Sequence, residues 1–345
     1  MTVTPASINE TPINEAPINE APINAVPFDP ALNEVLERMP RTAGPTPSLE
    51  SIPAMRDAGR AMFMPSVAEI IGTREIDAEE RTIPGPDGAP DLEITVLRPR
   101  GLSAPVPGLY NIHGGGMISG HRYMDTVRLV DLVAELGVVA VNVEYRLAPE
   151  NPDPAPVEDC YAGLTWMSQN AAELGVDPGR IVVMGGSAGG GLSAGVALLA
   201  RDRKGPHLAG QLLLCPMLDD TNTTVSSHQY DGIGTWPRAM NLLGWRALLG
   251  EKAGDPTADV SIYAAPARAA DLSGLPPAFI EAGSAEMFRD EDVAYATRIW
   301  AAGGQAELHI WSGGFHGFDV FAPDHELTRA ALAARLSWLR RTLQA

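Results

Sequence analysis

RIVVMGGSAGGGLSAGVALLARD, residues 180–202, passes from a β-branched run through a glycine cluster into an apolar stretch with helical spacing. The run 180–185 is bounded by Pro178-Gly179 and by glycines, the pattern of a fully buried parallel strand, and 192–202 reads as a helix. Between them Gly185-Gly186-Ser187-Ala188-Gly189 fits G-x-S-x-G. A serine at this point must occupy a sharp strand-to-helix turn, with glycines on either side so that neighbouring backbone can come close. Ser187 is therefore the candidate nucleophile. A phosphate-binding loop is the competing reading of so many glycines, but a Walker loop needs a lysine before its Ser or Thr and none is present. Gly189, Gly191 and Ala194 match the dinucleotide fingerprint only inside the helix, and no acidic residue ends a second strand about 20 residues on.

Outward from this unit the same alternation continues. LEITVL (92–97), GLYNIH (108–113), VVAVNVEY (138–145), QLLLC (211–215), PAFIEAG (277–283) and AELHIW (306–311) read as strands. Helical spacing marks a stretch near 127–136, another at about 289–302 and a last one ending near Leu343. Strands alternating with helices predict an α/β protein whose mostly parallel sheet is covered on both faces. Residues 216–271 interrupt the rhythm and read as an insertion. Together with helices expected in 28–80 it would form a cap over the sheet's carboxyl edge. The core is then expected in two parts, 81–215 and 272–345.

A serine nucleophile creates an oxyanion and requires a base. His113-Gly114-Gly115-Gly116 follows the GLYNI strand, so glycine N–H groups can point at the developing charge together with the N–H of Ala188. Each such donor is worth about 3 kcal/mol in a transition state. Of the seven histidines, His316 lies on a glycine-rich loop just after AELHIW, the last place in the chain order serine, acid, histidine. His113 precedes the oxyanion glycines and reads as a loop organiser. His309 falls inside a strand, and His121, His207, His228 and His325 lack supporting context. No metal-ligand spacing connects them, so no metal is expected.

HGGGM (113–117), VEYRLAPE (143–150), GGSAGGG (185–191) and GGFHGF (313–318), in that order, resemble the hormone-sensitive-lipase-like esterases. The resemblance runs from about residue 28 to the C-terminus and includes 260–279. It implies the α/β-hydrolase fold with a helical cap, no cofactor, and hydrolysis of carboxylic esters with short to medium acyl groups. It also implies that Gly115, Gly116 and Ala188 form the oxyanion hole. An amidase or lactonase on the same triad, and a catalytically silent small-ligand-binding protein, are the alternatives on this fold.

The sequence departs from the family pattern at two places. Gly186 stands where an acidic or larger polar residue is common. After the strand 277–283 the family typically reads D-P-L-R-D-E, its first aspartate being the triad acid, whereas this chain reads Glu286-Met287-Phe288-Arg289-Asp290-Glu291. Glu286 therefore takes the acid's position. Geometry agrees, because the acid must lie on the loop just past the strand to reach the imidazole Nδ1–H. Asp290 is the competitor; it, Glu291 and Asp292 otherwise suit a helix start, where the helix dipole favours negative side chains. Glu281, within the strand, is expected to point away from the carboxyl edge.

Composition narrows the partners. A formal charge of −18 and only two lysines, Lys204 and Lys252, disfavour phosphate backbones and anionic membranes. The expected partner is a small-molecule ester, with no nucleic acid and no membrane; a homodimer is allowed but nothing decides the oligomeric state. Two cysteines, Cys160 and Cys215, are too few for a disulfide framework and read as small buried thiols. No secretory signal and no run of ~18 apolar residues is present, so a cytoplasmic enzyme is expected. Residues 8–27 repeat as INETP, INEAP, INEAP, INAVP, with a proline in every unit. This predicts a disordered tail over 1–27, a partner-binding segment being the rival reading.

Overall fold

Aliphatic and β-branched segments pair edge to edge into one eight-stranded sheet, in a computed structural model that describes residues 24–39, 48–60 and 65–344. The strands are β1 (Ile76–Ile83), β2 (Leu92–Pro99), β3 (Val106–Ile112), β4 (Val139–Glu144), β5 (Val176–Gly186), β6 (Gly210–Leu214), β7 (Ala278–Gly283) and β8 (Ala306–Trp311). Their order across the sheet is β1-β2-β4-β3-β5-β6-β7-β8. β2 runs antiparallel to both neighbours, and every later pairing is parallel. This is an α/β-hydrolase architecture.

The helices follow from the crossovers that parallel strands require. They are α1 (Pro30–Arg38), α2 (Ile52–Arg60), α3 (Val67–Ile71), α4 (Thr126–Leu136), α5 (Ala155–Gln169), α6 (Ala171–Leu174), α7 (Ala188–Asp202), α8 (Val225–Gln229), α9 (Arg238–Leu249), α10 (Arg289–Ala301), α11 (Phe318–Phe321) and α12 (Glu326–Gln344). Successive strand residues face opposite ways. Val182 and Met184 of β5 pack with Leu129, Val133 and Leu339 of α4 and α12 on one face. Ile181 and Val183 pack with Leu164, Val196 and Ile299 of α5, α7 and α10 on the other. Each aliphatic side chain so buried contributes about 1.5–3 kcal/mol, which is why these strands carry little polarity on either face.

Strand order reverses around β3, which has β4 on one side and β5 on the other. Ligands of open α/β sheets bind outside the strand carboxyl ends at such a point. The pairing of Ile112 with Gly185 brings the ends of β3 and β5 level. The loops carrying the HGGG glycines and Ser187 therefore leave the sheet side by side.

Several boundaries differ from the sequence reading. β1 crosses the expected cap-to-core boundary at residue 80; its pattern IDAEERTI buries only its end residues firmly, so it resembles no core strand. α3 lies with the core, since Val67, Ile70 and Ile71 pack against the α4 face of the sheet. α5 gave no clear signal because, besides its buried face of Pro156, Val157, Cys160, Leu164 and Met167, the partly buried Tyr161, Ala162 and Trp166 spread apolar character around the helix. α7 begins at Ala188, four residues before the apolar run suggested. Within the insertion, α8 and α9 stand over the carboxyl edge. Of the expected tail, residues 1–23 lie outside the described residues. Asn24 and Val26, however, lie against α8: their carbonyls accept from Gln229 Nε2 at 2.6 Å and from the Tyr230 hydroxyl at 2.8 Å. Among the described residues no helix is long and apolar enough to cross a membrane.

Candidate active site

The turn after β5 forces Ser187 into a backbone conformation that L-residues seldom adopt, φ 57° and ψ −124°. Three hydrogen bonds hold it there. Its N–H donates to the Leu214 carbonyl at 2.8 Å, and its carbonyl accepts from Gly191 and Met217, both at 3.0 Å. Gly189 is required by crowding, because a Cβ at that position would stand 2.0 Å from the Ile112 carbonyl oxygen. Gly186 is not so constrained: the nearest atom to a Cβ there is Arg128 Nη1 at 3.7 Å. The departure at this position thus reflects no steric demand of the turn.

The loop after β8 carries His316 to the serine. His316 Nε2 lies 3.0 Å from Ser187 Oγ, and its Nδ1 lies 2.5 Å from Glu286 Oε2. Glu286 follows β7 by three residues and bends back, so that its other oxygen accepts the Gly283 N–H at 2.6 Å. Its side chain is almost fully buried, whereas that of His316 keeps a little exposure toward solvent. Phe288 meets the imidazole edge-on with ring centroids 5.1 Å apart, closing one side of the site.

The HGGG loop stands against the serine turn: a Cβ on Gly114 would lie 3.5 Å from Ser187 Cβ. Among the described residues no backbone carbonyl accepts from the N–H groups of Gly115, Gly116 or Ala188. Ala188 opens α7, where the first amide groups have no partner in the helix and the dipole adds positive potential. Gly116 has φ 64°, and a Cβ there would meet the Trp236 ring at 2.4 Å. The cap therefore grips this loop. Trp236 covers Gly116 from one direction, while Gly244 of α9 approaches so closely that a Cβ would be 2.8 Å from the Gly116 carbonyl. Asn241 accepts from Trp236 Nε1 at 3.2 Å and fixes the indole. One residue earlier, the Thr235 hydroxyl donates to the His316 carbonyl at 2.5 Å.

All six expected site residues, Ser187, Glu286, His316, Gly115, Gly116 and Ala188, thus converge. His113 does not join them. Its buried ring stacks on Tyr145 at 4.2 Å, with Nδ1 2.8 Å from the Gly114 carbonyl, and burial holds its pKa below the usual value. His309 stacks between Phe279 and Trp311 within the sheet. Glu281 pairs with Arg335, which also holds Asp319, and it lines the same small cavity as Glu286.

The remaining acids stand in the first turn of α10, as expected, and each also has a place in the tertiary structure. Asp290 accepts from the Ser226 N–H at 2.8 Å and so ties α10 to the cap helix α8. Glu291 is buried and accepts from the amides of Leu218 and Asp219, at 2.7 and 3.2 Å. Asp292 is wholly buried, and among the described residues its carboxyl oxygens have no hydrogen-bond partner. Burial pushes the pKa values of Glu291 and Asp292 well up. Thr235, Trp236 and Cys215, which also border the site, had no local sequence signal. Only their tertiary neighbours identify them.

Comparison with known proteins agrees with this architecture. A family described by its alpha/beta hydrolase fold matches residues 109–320. Carboxylesterase NlhH of Mycobacterium tuberculosis is 36% identical over 326 residues, covering 92% of this chain and 97% of its own. Esterase LipI of the same organism is 31% identical over 300 residues, with 85% and 88% covered. Among solved structures, a bacterial heroin esterase superposes with a TM-score of 0.84 at 38% identity, covering 92% of this chain and 98% of its own. Esterase LipW from Mycobacterium marinum does so at 0.80 and 31%, with the same coverage. On its fold, its ordered motifs and these relatives, the chain belongs to the hormone-sensitive-lipase-like family of α/β hydrolases.

Proposed function

We propose that this enzyme hydrolyses carboxylic esters by two-step acyl transfer, with Ser187 as nucleophile, His316 as base and Glu286 as the acid that orients the imidazole. His316 Nε2 takes the Ser187 proton as Oγ attacks the ester carbonyl. The oxyanion is held by the N–H groups of Gly115, Gly116 and Ala188. The alcohol leaves with a proton from His316, forming an acyl-serine. Water then enters, gives its proton to His316, and releases the carboxylic acid. No cofactor has a part in this sequence. Carboxylesterases and esterases among the relatives support ester hydrolysis.

The observation that carries the assignment is the continuous hydrogen-bonded chain from Ser187 through His316 to Glu286. Short to medium acyl groups are the proposed preference, because Trp236 stands directly against an oxyanion glycine. A cytoplasmic setting is part of the proposal, and the free state of both Cys160 and Cys215 supports a reducing compartment. The decisive test is Ser187→Ala assayed on p-nitrophenyl acetate, with the melting temperature measured alongside. Hydrolysis should fall to background in a folded protein. Wild-type turnover in that variant would remove Ser187 from the mechanism.

A further inference from the structure

Cys215 directly follows β6, behind the triad. Its Sγ, a carboxylate oxygen of Glu286 and a ring nitrogen of His316 all lie within 4.8 Å of one another. These residues are far apart in sequence, which is why no ligand spacing announced them. A thiolate, an imidazole and a carboxylate are together the donor set of a four-coordinate zinc site with one position left open.

One further observation points to a cation. A cavity of about 10 Å³, bordered by Cys215 and Glu286, is lined also by Glu281, Asp319 and Arg335. That is about the volume one small guest needs, and its walls carry three carboxylates against one guanidinium.

We propose that Cys215 Sγ, Glu286 and His316 Nδ1 form an inhibitory site for a thiophilic divalent cation of the Zn²⁺ type. Zinc–ligand bonds of about 2.0–2.3 Å set neighbouring donors more than 3 Å apart, so the His316–Glu286 contact opens by roughly 1 Å to admit the ion. The proton balance explains the inhibition. The thiol proton leaves to solvent, and the imidazole proton moves from Nδ1 to Nε2 as the metal takes the Nδ1 lone pair. Ser187 then faces an N–H donor instead of a base. Glu286, now a ligand, no longer orients the ring. The inference rests on the proposed triad for its effect on turnover, but not for the binding itself.

The test separates the two. Cd²⁺ titrated into the full chain should give a sulfur-to-cadmium charge-transfer absorption in wild type and in Ser187→Ala, and none in Cys215→Ala. Zn²⁺ should inhibit wild-type ester hydrolysis reversibly, with a chelator restoring it. Cys215→Ala, with each rate normalised to its own metal-free activity, should need at least roughly tenfold more Zn²⁺ for half-inhibition, as expected for loss of one ligand. A wild type without esterase activity but with the cadmium band would sink the triad and leave the metal site standing. An active wild type without that band, or equal Zn²⁺ inhibition of Cys215→Ala, would overturn the metal site.

Discussion

Replacing Glu286 with glutamine exchanges an oxygen for an NH₂ group at nearly constant volume, yet removes an acceptor the site needs. Two donors converge on this carboxylate: the Gly283 N–H at 2.6 Å on one oxygen and His316 Nδ1 at 2.5 Å on the other. Glutamine offers a single acceptor oxygen. If that oxygen serves the Gly283 amide, the NH₂ faces Nδ1, the imidazole must accept there, and its proton moves to Nε2. The base then points a proton at Ser187 Oγ, 3.0 Å away. Loss of the correct tautomer in a triad lowers kcat by about 10⁴, or roughly 5.5 kcal/mol. If the oxygen serves Nδ1 instead, the buried Gly283 amide is orphaned at about 1–3 kcal/mol of stability. The first arrangement loses activity and the second loses stability. kcat on p-nitrophenyl acetate, read together with urea unfolding, distinguishes them. A glutamine variant within tenfold of wild-type kcat and equally stable would refute the assignment. Asp290→Asn is the matched control. It lies four residues on and bonds the cap rather than the histidine, so its kcat should stay within a few-fold while stability falls by about 1 kcal/mol.

Two more outcomes follow from the geometry. Trp236→Ala removes the indole that walls Gly116, so the kcat/KM ratio of hexanoate to acetate esters should rise roughly tenfold or more, four added methylenes being worth up to about 3 kcal/mol; an unchanged chain-length profile would place the acyl pocket elsewhere. Asp292 concerns stability against pH. Burial, then the fields of Glu291, Glu286 and Asp290, raise its pKa well above the ordinary value, so the folded state keeps a proton that the unfolded chain releases near pH 4. Its contribution is therefore complete below about pH 4 and is lost as pH rises toward the folded value. Asp292→Asn cannot ionise and should be more stable than wild type at pH 7 but not at pH 4, by urea unfolding at both. A wild-type advantage at pH 7 would contradict this.

What could be read from the chain was what local pattern encodes. The turn at Ser187 announced itself because strand, glycines and helix are contiguous, and the HGGG glycines and His316 because each follows a strand that ends at the same edge. Glu286 stood out as the proposed acid because the family pattern and its place just past a strand both pointed to it. The remainder required neighbours that are distant in sequence. β1 exposes most of its side chains and so lacks a core strand's composition. Asp290, Glu291 and Asp292 look alike in sequence, yet one grips α8, one holds the loop after β6 and one is sealed from water. The family departure at Gly186 was visible, whereas the open space above Arg128 that makes it harmless was not.

Residues 24–29 link the two ends of the chain. Asn24 and Val26 are bonded to α8, Phe28 packs on Tyr230 and Phe315 with ring centroids 6.0 and 6.4 Å apart, and the Asp29 N–H donates to the Gly313 carbonyl at 3.0 Å. In synthesis this arm precedes both parts of its docking surface, residues 229–230 and then 313–315, so it waits for the segments that will hold it. Closure over so long a separation is among the latest and slowest steps of folding. The arm is thus a clasp fastened on a finished molecule. A nascent chain cut short before residue 313 lacks both the late half of the clasp and the histidine that the proposed mechanism needs.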